Sequence, residues 1–592
     1  VTAAGHPVRL DVRLVPAVIF AWVAALAGTT FLRGSSAVLA EALAAGAAAL
    51  LLLRARCRKK GGQARALPFT LAVACLFGAA VALHCAVDAN KVESGPLAGV
   101  IGEGDSVVIQ VRVTGVPAAV PAPGHGGGGR WVVPADLEHF TAHGRVVTGT
   151  ARLTVLGGDA WRDVRPGQSV RTTGIPKEPR PGDPGVATLS ASTGPTRVRS
   201  VFDPGGAAAQ ARERFGEAAA DLLDADPAGL LPGMVVGDTS ALPDSLKSAM
   251  ETCGMNHLVA VSGSNCSLIL AAFILLARSF RLSRPLAGFL AAGGLGAFVL
   301  LVGPDPSVLR ASVMGVVGMA ALTTGHRGRP LTFLCLATSV LLVASPPLAA
   351  SVGFLLSVVA TLGIVLLARR LTSWFPSWVP RWLAAGVAVP LSAQLACGPV
   401  IVAFSPQLSP YALPANVVSG IFVAPITILG TLAVPVSMLL PWLSPVLIFA
   451  AGAAAGAVAA TARFFARLPG SGFPWAEGPV GVTAMALCSL LTLLTVWAAL
   501  HPAGVVELAH AFHRRLVRWL LIWEIRVAPV RPRSAAFRRN RDSKRGRLEA
   551  CTHPHRKEPP WLLPKMPGPR ATPGPRAPRR TPLVGVRQRP PP

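Results

Sequence analysis

The chain is 592 residues long, 52% hydrophobic and only 14% charged, with a mean hydropathy of +0.52. Soluble proteins carry about 25% charged residues, so this composition excludes a wholly soluble fold and specifies a polytopic membrane protein with a soluble insert. The net charge of +28 is uneven: His513 to Pro592 holds 21 Lys and Arg against 4 Asp and Glu, so the extreme basicity belongs to the tail.

Three apolar segments come first, near residues 15–32, 36–53 and 67–87, within an N-terminal membrane region 1–90. The first has no convincing cleavage site and is long enough to span, so it is read as a span rather than a removed leader. Residues 91–205 then carry five β-rich runs: "SVVIQVRVTGV", "RWVVPADLEHF", "RVVTGTARLTVLG", "QSVRTTGI" and "ATLSASTG". Turn-forming stretches such as "PAPGHGGGG" and "KEPRPGDPG" separate them. Five short strands predict a small OB-type β-barrel, with a β-sandwich fragment as the alternative. Residues 206–253 read as an amphipathic helical linker lying along the membrane surface.

Apolar segments recur near 254–277, 285–302, 307–323, 331–345, 348–368, 383–404, 416–440, 446–466 and 479–500, giving about twelve spans. The tail, 501–592, is rich in Pro, Arg and Gly and is expected to be disordered. A shifted reading frame or a basic arm for nucleic acid or anionic lipid would each give such a composition. The nine cysteines are scattered with no CxxC pair, which argues against a disulfide framework or a zinc site.

Basic loops test this map. Arg54–Arg65, Arg278–Arg284, Gly325–Arg329, Arg369 with Arg370, and the tail all fall on one side of a twelve-span alternation. That side is the cytoplasm, which also receives both termini and leaves the β-rich insert outside. Arg463 and Arg467, at the outer end of a span, are the exception.

One span starts unusually. "CGMNHLVAVSGSNCSLIL", Cys253 to Leu270, places His257, Ser262, Gly263, Ser264 and Asn265 at the head of an apolar run. A helix breaks at membrane depth only where protein or a water-filled cavity covers the break. Close helix packing through Ser and Gly is the competing reading. Arg310 in "SVLRAS" offers a guanidinium suited to phosphate oxygens, or it snorkels to the interface. Gln394 and Asn416 are uncharged polar residues in or beside spans, suited to interhelical hydrogen bonds or to a substrate.

These strings resemble the ComEC family, the competence channels for DNA uptake. "GDTSALPDSLKSAMETCGMNHLVAVSGSNCSLI", "GPDPSVLRASVMG", "ASPPLAASVGFLLSVVATLGIVLL" and "PLSAQLACGPVIVAFSPQLSPYALPANVVSGIFVAPI" are similar, in order, to four of its elements. The three-span start and β-rich insert match its layout, so the likeness covers residues 1 to about 500. It implies a multi-pass plasma-membrane channel, residues 254–500, that passes single-stranded DNA inward during natural transformation. It further implies an extracellular DNA receptor, a cytoplasmic ATP-driven motor and membrane lipids as partners, and leaves room for a homo-oligomer. His257, Ser262, Gly263, Ser264, Asn265, Arg310, Gln394 and Asn416 are the candidate DNA-path residues. Many members have His where this chain has Asn265, so a titrating imidazole is not expected there. Many also carry a metallo-β-lactamase-like domain, whose "DVGQGD" and HxHxDH strings do not occur here. No catalytic residue, metal or cofactor is therefore expected. A membrane enzyme acting on a lipid-linked substrate and a truncated, non-functional family member are the alternatives.

Overall fold

The computed structural model describes residues 11–527 apart from short internal stretches, the longest being 57–61, 95–98, 121–128, 179–184, 199–203 and 324–329. The remainder of the tail, 528–592, where disorder was expected, lies outside the described residues.

Three helices open the chain. They are α1 (Val15–Leu26, continued as a π turn to Phe31), α2 (Ser36–Arg56) and α3 (Gly62–Ser94). Eight strands follow: β1 (Val107–Val113), β2 (Ala118–Val120), β3 (Arg130–Ala142), β4 (Arg145–Thr148), β5 (Arg152–Gly157), β6 (Ser169–Lys177), β7 (Ala187–Ala191) and β8 (Thr196–Arg197). Five of them close a ring in the order β1-β3-β5-β7-β6-β1, in which β5 and β7 run parallel and every other pair is antiparallel. Numbered by sequence, the ring reads first, second, third, fifth, fourth, the Greek-key closure of an OB-type barrel. All five β-rich runs of the sequence enter this ring. Along β1, Val107, Ile109, Val111 and Val113 point inward and their neighbours outward, the period-2 pattern of a strand with one face in a core. Trp161, in a single 3-10 turn after β5, is fully buried and covers Gly157 so closely that no side chain fits there.

The register between β1 and β3 slips after Gln110, which faces His139 while Val111 faces Leu137. Glu138 is the extra residue of this bulge. Its carboxylate accepts from Gln110 Nε2 (2.8 Å), Arg112 Nε (3.0 Å) and Ser169 Oγ (3.0 Å), tying β3 to β1 and β6. Burial pushes the Glu138 carboxyl up, but these hydrogen bonds and the Arg112 charge outweigh it and hold it below the usual carboxylate range.

After the barrel come α4 (Pro204–Leu222), α5 (Ala225–Val236), α6 (Asp244–Thr252), the one-turn α7 (Asn256–Val259), α8 (Gly263–Ser279), α9 (Arg284–Val302), α10 (Pro306–Thr323) and α11 (Pro330–Ala344). They are followed by α12 (Val352–Trp374), α13 (Arg381–Phe404), α14 (Ala412–Leu439), α15 (Ser444–Ala466), α16 (Gly478–Leu500) and α17 (Pro502–Val527). Eight helices among the described residues are long and apolar enough to cross a membrane: α2, α3, α9, α12, α13, α14, α15 and α16. Four shorter apolar helices, α1, α8, α10 and α11, take the other four places where the sequence predicts spans.

Two expectations change. Residues 206–253 are not one surface-lying linker but three helices, and α5 is buried from Gly229 to Val236. α5 sits in the largest core with α4, α6, α14 and α15. Gly430 on α14 abuts Val235, and Gly452 on α15 abuts Leu223; in both places the missing Cβ permits the approach. A helix of 12 residues is too short to span, so its apolar surface is satisfied by protein instead. The second change is in the tail, whose first 26 residues after His501 form α17.

The loops on one side of the alternation join each other. Two-residue strands β9 (Gln407–Leu408) and β10 (Phe473–Pro474) pair, and Tyr411 donates to Pro469 O at 3.0 Å. Ser409 donates to Thr252 O, and Arg152 of the barrel donates to Ser345 Oγ (2.9 Å). Arg463 forms a two-pronged ion pair with Asp226, its Nη2 at 2.7 Å from Oδ1. One of the two charges that break the basic-loop rule, Arg463, is thus neutralised by a carboxylate from the segment on its own side.

Candidate functional site: a broken helix against a buried arginine

The break begins at Gly254, whose φ of +65° turns the chain out of α6. Met255 is fully buried, α7 makes one turn, and Ser262 is extended (φ −96°, ψ 160°) before α8 starts at Gly263. The predicted interruption of the span therefore exists. Its exposed backbone is served from a neighbouring helix: Ser307 Oγ lies 2.9 Å from Val261 O. Asp305 fixes that hydroxyl, accepting from Ser307 N (2.9 Å) at the start of α10 and lying 2.8 Å from Ser307 Oγ. Broken backbone that would be intolerable in lipid is thus held by protein.

One turn along α10, Arg310 is only 6% exposed. Its Nε and Nη2 donate to Ser357 Oγ of α12, at 3.0 and 2.8 Å, and Nη1 lies 3.4 Å from Met314 Sδ. Among the described residues no carboxylate pairs with it. Gly263 faces the same guanidinium: a Cβ there would sit 3.1 Å from Arg310 Nη2 and 3.2 Å from Ala311 Cβ. A buried guanidinium offers five N–H donors and a full charge, and here a hydroxyl and a thioether are its partners. Donors of this kind suit the oxygens of an anion.

Asn265 is 4% exposed and is a strut. Its Nδ2 donates to Met234 O of α5 (3.1 Å), and its Oδ1 accepts from Thr427 Oγ1 of α14 (3.1 Å) and Ser262 Oγ (3.3 Å). Ser262 also shares a short hydrogen bond with Ser264. His257 and Ser264 are exposed, and Ser262 and Gly263 are half-buried. Gly254 packs on Ala412, one turn before Asn416 on α14, so that residue stands near the α6–α7 turn. Asn416 Nδ2 donates to Ala412 O (2.8 Å), and its Oδ1 is buried without a partner among the described residues. Gln394, half-buried on α13, makes no side-chain hydrogen bond to any described residue and is not joined to the cluster.

Gly263, Arg310 and Ser357 come from three of the four quoted sequence elements, and Thr427 follows directly on the fourth. Sequence reasoning singled out the first two and passed over Ser357, Thr427 and Ser307. Ser357 lies inside "GFLLSVVATLGI", yet nothing in that string ranks it above other small polar residues. No group of three or more His, Cys, Asp or Glu able to hold a metal occurs among the described residues.

The fold and site define a multi-pass α-helical membrane protein with an appended OB-type barrel and a helix broken beside a buried cation. Residues 234–500 match the family model described as "Competence protein", which supports the likeness to the ComEC-type competence family over that stretch. It is 30% identical over 195 residues to ComE operon protein 3 of Bacillus subtilis (strain 168). That match takes in 33% of this chain and 24% of the relative, so the chain spans about a quarter of that protein's length. No solved structure matches. The family model begins at residue 234, inside α5, in keeping with the packing of α5 into the membrane block.

Proposed function

We propose that this chain is an inner-membrane channel that takes up single-stranded DNA in natural transformation. The observation that carries the reading is the convergence of separate competence-family elements on one broken helix beside Arg310, a buried cation without a carboxylate. DNA brings a phosphate at every step, and a guanidinium binds phosphate oxygens through paired N–H groups. Gly263 adds no side chain against the guanidinium, while His257, Ser262 and Ser264 supply small polar contacts along the wall. Asn265 holds the break open by tying α8 to α5 and α14. Asn416 and Gln394 are further contacts along the path. The barrel faces the outside, where a DNA receptor delivers the strand, and the N-terminus and Arg54–Arg65 loop face the cytoplasm, where an ATP-driven motor pulls it. The basic-loop pattern supports that orientation. A cysteine at Val146, which is exposed on the barrel, should then react with an impermeant reagent in intact cells, and one at position 60 should not. The reverse labelling defeats the orientation.

Uptake of labelled DNA, normalised to the amount of protein in the membrane, tests the channel wall. Gly263→Leu should abolish uptake, because its side chain must displace the Arg310 guanidinium. His257→Ala should do less harm, and Ser262→Ala least. Normal uptake per molecule in Gly263→Leu defeats the proposal, whatever the protein's abundance.

A further inference from the structure

α16 ends at Leu500, and α17 begins two residues later at Pro502, so the turn at His501 leads from a membrane-spanning helix straight into a second helix. α17 is not apolar enough to cross in its turn: Arg514, Arg515 and Arg518 occupy its middle. Two sets of its residues nevertheless lie on opposite faces, although Val517, Leu521 and Ile525 fall on the side of the basic set. Phe512, Leu516, Trp519 and Trp523 recur at spacings of four, three and four and share one face. His510, Arg514 and Arg518 recur at spacings of four and share the opposite face. The apolar face is open: Phe512 is 67%, Trp519 60% and Trp523 54% exposed.

We infer that α17 lies in the plane of the bilayer interface and binds anionic phospholipid headgroups, anchoring the end of the last span. This assignment does not depend on the DNA-channel reading. Three observations favour lipid as the occupant. The helix starts where a span ends, so the interface is the first environment it meets. Trp519 and Trp523 are of the residue type that accumulates at membrane–water boundaries, with an apolar ring and a polar N–H. Arginines on the opposite face reach phosphate groups while their stems stay along the apolar surface. Nucleic acid would satisfy the basic face and leave the two tryptophans in water, whereas a lipid interface satisfies both faces together.

The test uses the full chain with its native cysteines replaced, reconstituted in nanodiscs containing phosphatidylglycerol. Nitroxide labels at Arg514, Leu516, Arg518 and Trp519, one at a time, report access to oxygen, which concentrates in lipid, and to a nickel chelate, which stays in water. Labels at Leu516 and Trp519 should favour oxygen and those at Arg514 and Arg518 nickel, with the ratio differing at least threefold between faces. Replacing phosphatidylglycerol by phosphatidylcholine, or changing Arg514, Arg515 and Arg518 to Gln, should reduce that contrast. Equal nickel access on both faces would mean a helix in water and would overturn the inference. Exclusion of both reagents from Leu516 and Trp519 would mean a protein partner and would overturn it too. So would a contrast that arises only on adding single-stranded oligonucleotide, or one that is fully retained in phosphatidylcholine.

Discussion

Two arginines on membrane helices sit in opposite circumstances. Arg463, at the end of α15, is gripped by both oxygens of Asp226 and touches Ser245 Oγ at 3.2 Å. Arg310, near the start of α10, is more deeply buried and meets a hydroxyl and a thioether. A charge inside a membrane protein is costly unless paired, and a cost left uncompensated in the resting protein points to a partner that comes and goes. The paired arginine holds the rim of the structure together. The other, under the proposed function, is the one that meets an anion.

The largest effect separating the two should follow from Arg310→Met, which keeps the length of the side chain and removes its charge. A hydrogen bond to a charged group contributes about 1.5–3 kcal/mol, so DNA uptake per molecule should fall about 10- to 100-fold. Thermal stability in detergent should stay level or rise, because a buried, uncompensated cation has been removed. A drop in stability with uptake per molecule unchanged would turn Arg310 into an ordinary structural residue and erase the contrast.

Asp226→Asn should show the opposite split. It strips Arg463 of its carboxylate and should cost about 1–2 kcal/mol, the low part of the range for charged hydrogen bonds because both groups are partly exposed. Uptake per folded molecule should persist. A double-mutant cycle with Arg463→Gln should recover most of the loss as a coupling energy between the two sites; additive losses would mean that the pair is not the source of the rim's stability.

A smaller effect tests the strut beside the break. Thr427→Val removes the hydroxyl that donates to Asn265 Oδ1 but leaves Ser262 Oγ as its other donor. A neutral hydrogen bond contributes about 0.5–1.5 kcal/mol, and stability should fall within that range. Faster hydrogen exchange should be confined to α8 and the adjoining part of α14, and exchange in the barrel should be unaltered.

How much of this contrast can be read from sequence differs between elements. β1 is legible because Val107, Ile109, Val111 and Val113 alternate with outward residues. The bulge at Glu138 is not, since it depends on which residues of β1 and β6 lie across from it. The spans are legible from hydropathy, but α5 is not, because a short apolar run suits several environments and only Gly430 and Gly452 decide this one. α17 was averaged into a Pro-rich tail although no proline occurs between Pro502 and Pro529. At the break, Gly263 and Arg310 stood out as a glycine and a charge in apolar surroundings. Ser357 and Thr427 are common small polar residues whose importance lies wholly in what they face, and that information is three-dimensional.

The smallest effect, and the one that reaches the whole molecule, is the response to acid. Asp226 is held below the usual carboxylate range first by its hydrogen bonds from Arg463, and Glu138 is held low by donors that outweigh its burial. A carboxyl whose value is depressed on folding stabilises the protein above its unfolded value, about 3.9 for Asp and 4.3 for Glu. That contribution is lost as pH falls through the folded value. The barrel and the rim should therefore loosen below about pH 4, each by less than about 1 kcal/mol given their exposure. Arg310 should add nothing to this response, because no carboxylate among the described residues pairs with it and its guanidinium keeps its charge. Hydrogen exchange of the intact protein, corrected for the intrinsic pH dependence, can follow β1, α5 and the first turns of α8 side by side. Glu138→Gln should remove the acid response of β1 and leave that of α5. If α8 loses protection together with α5 as the pH falls even when Asp305, the carboxylate that holds Ser307 at the break, is changed to Asn, then Arg310 does depend on a titrating carboxylate, and the distinction between the two arginines fails.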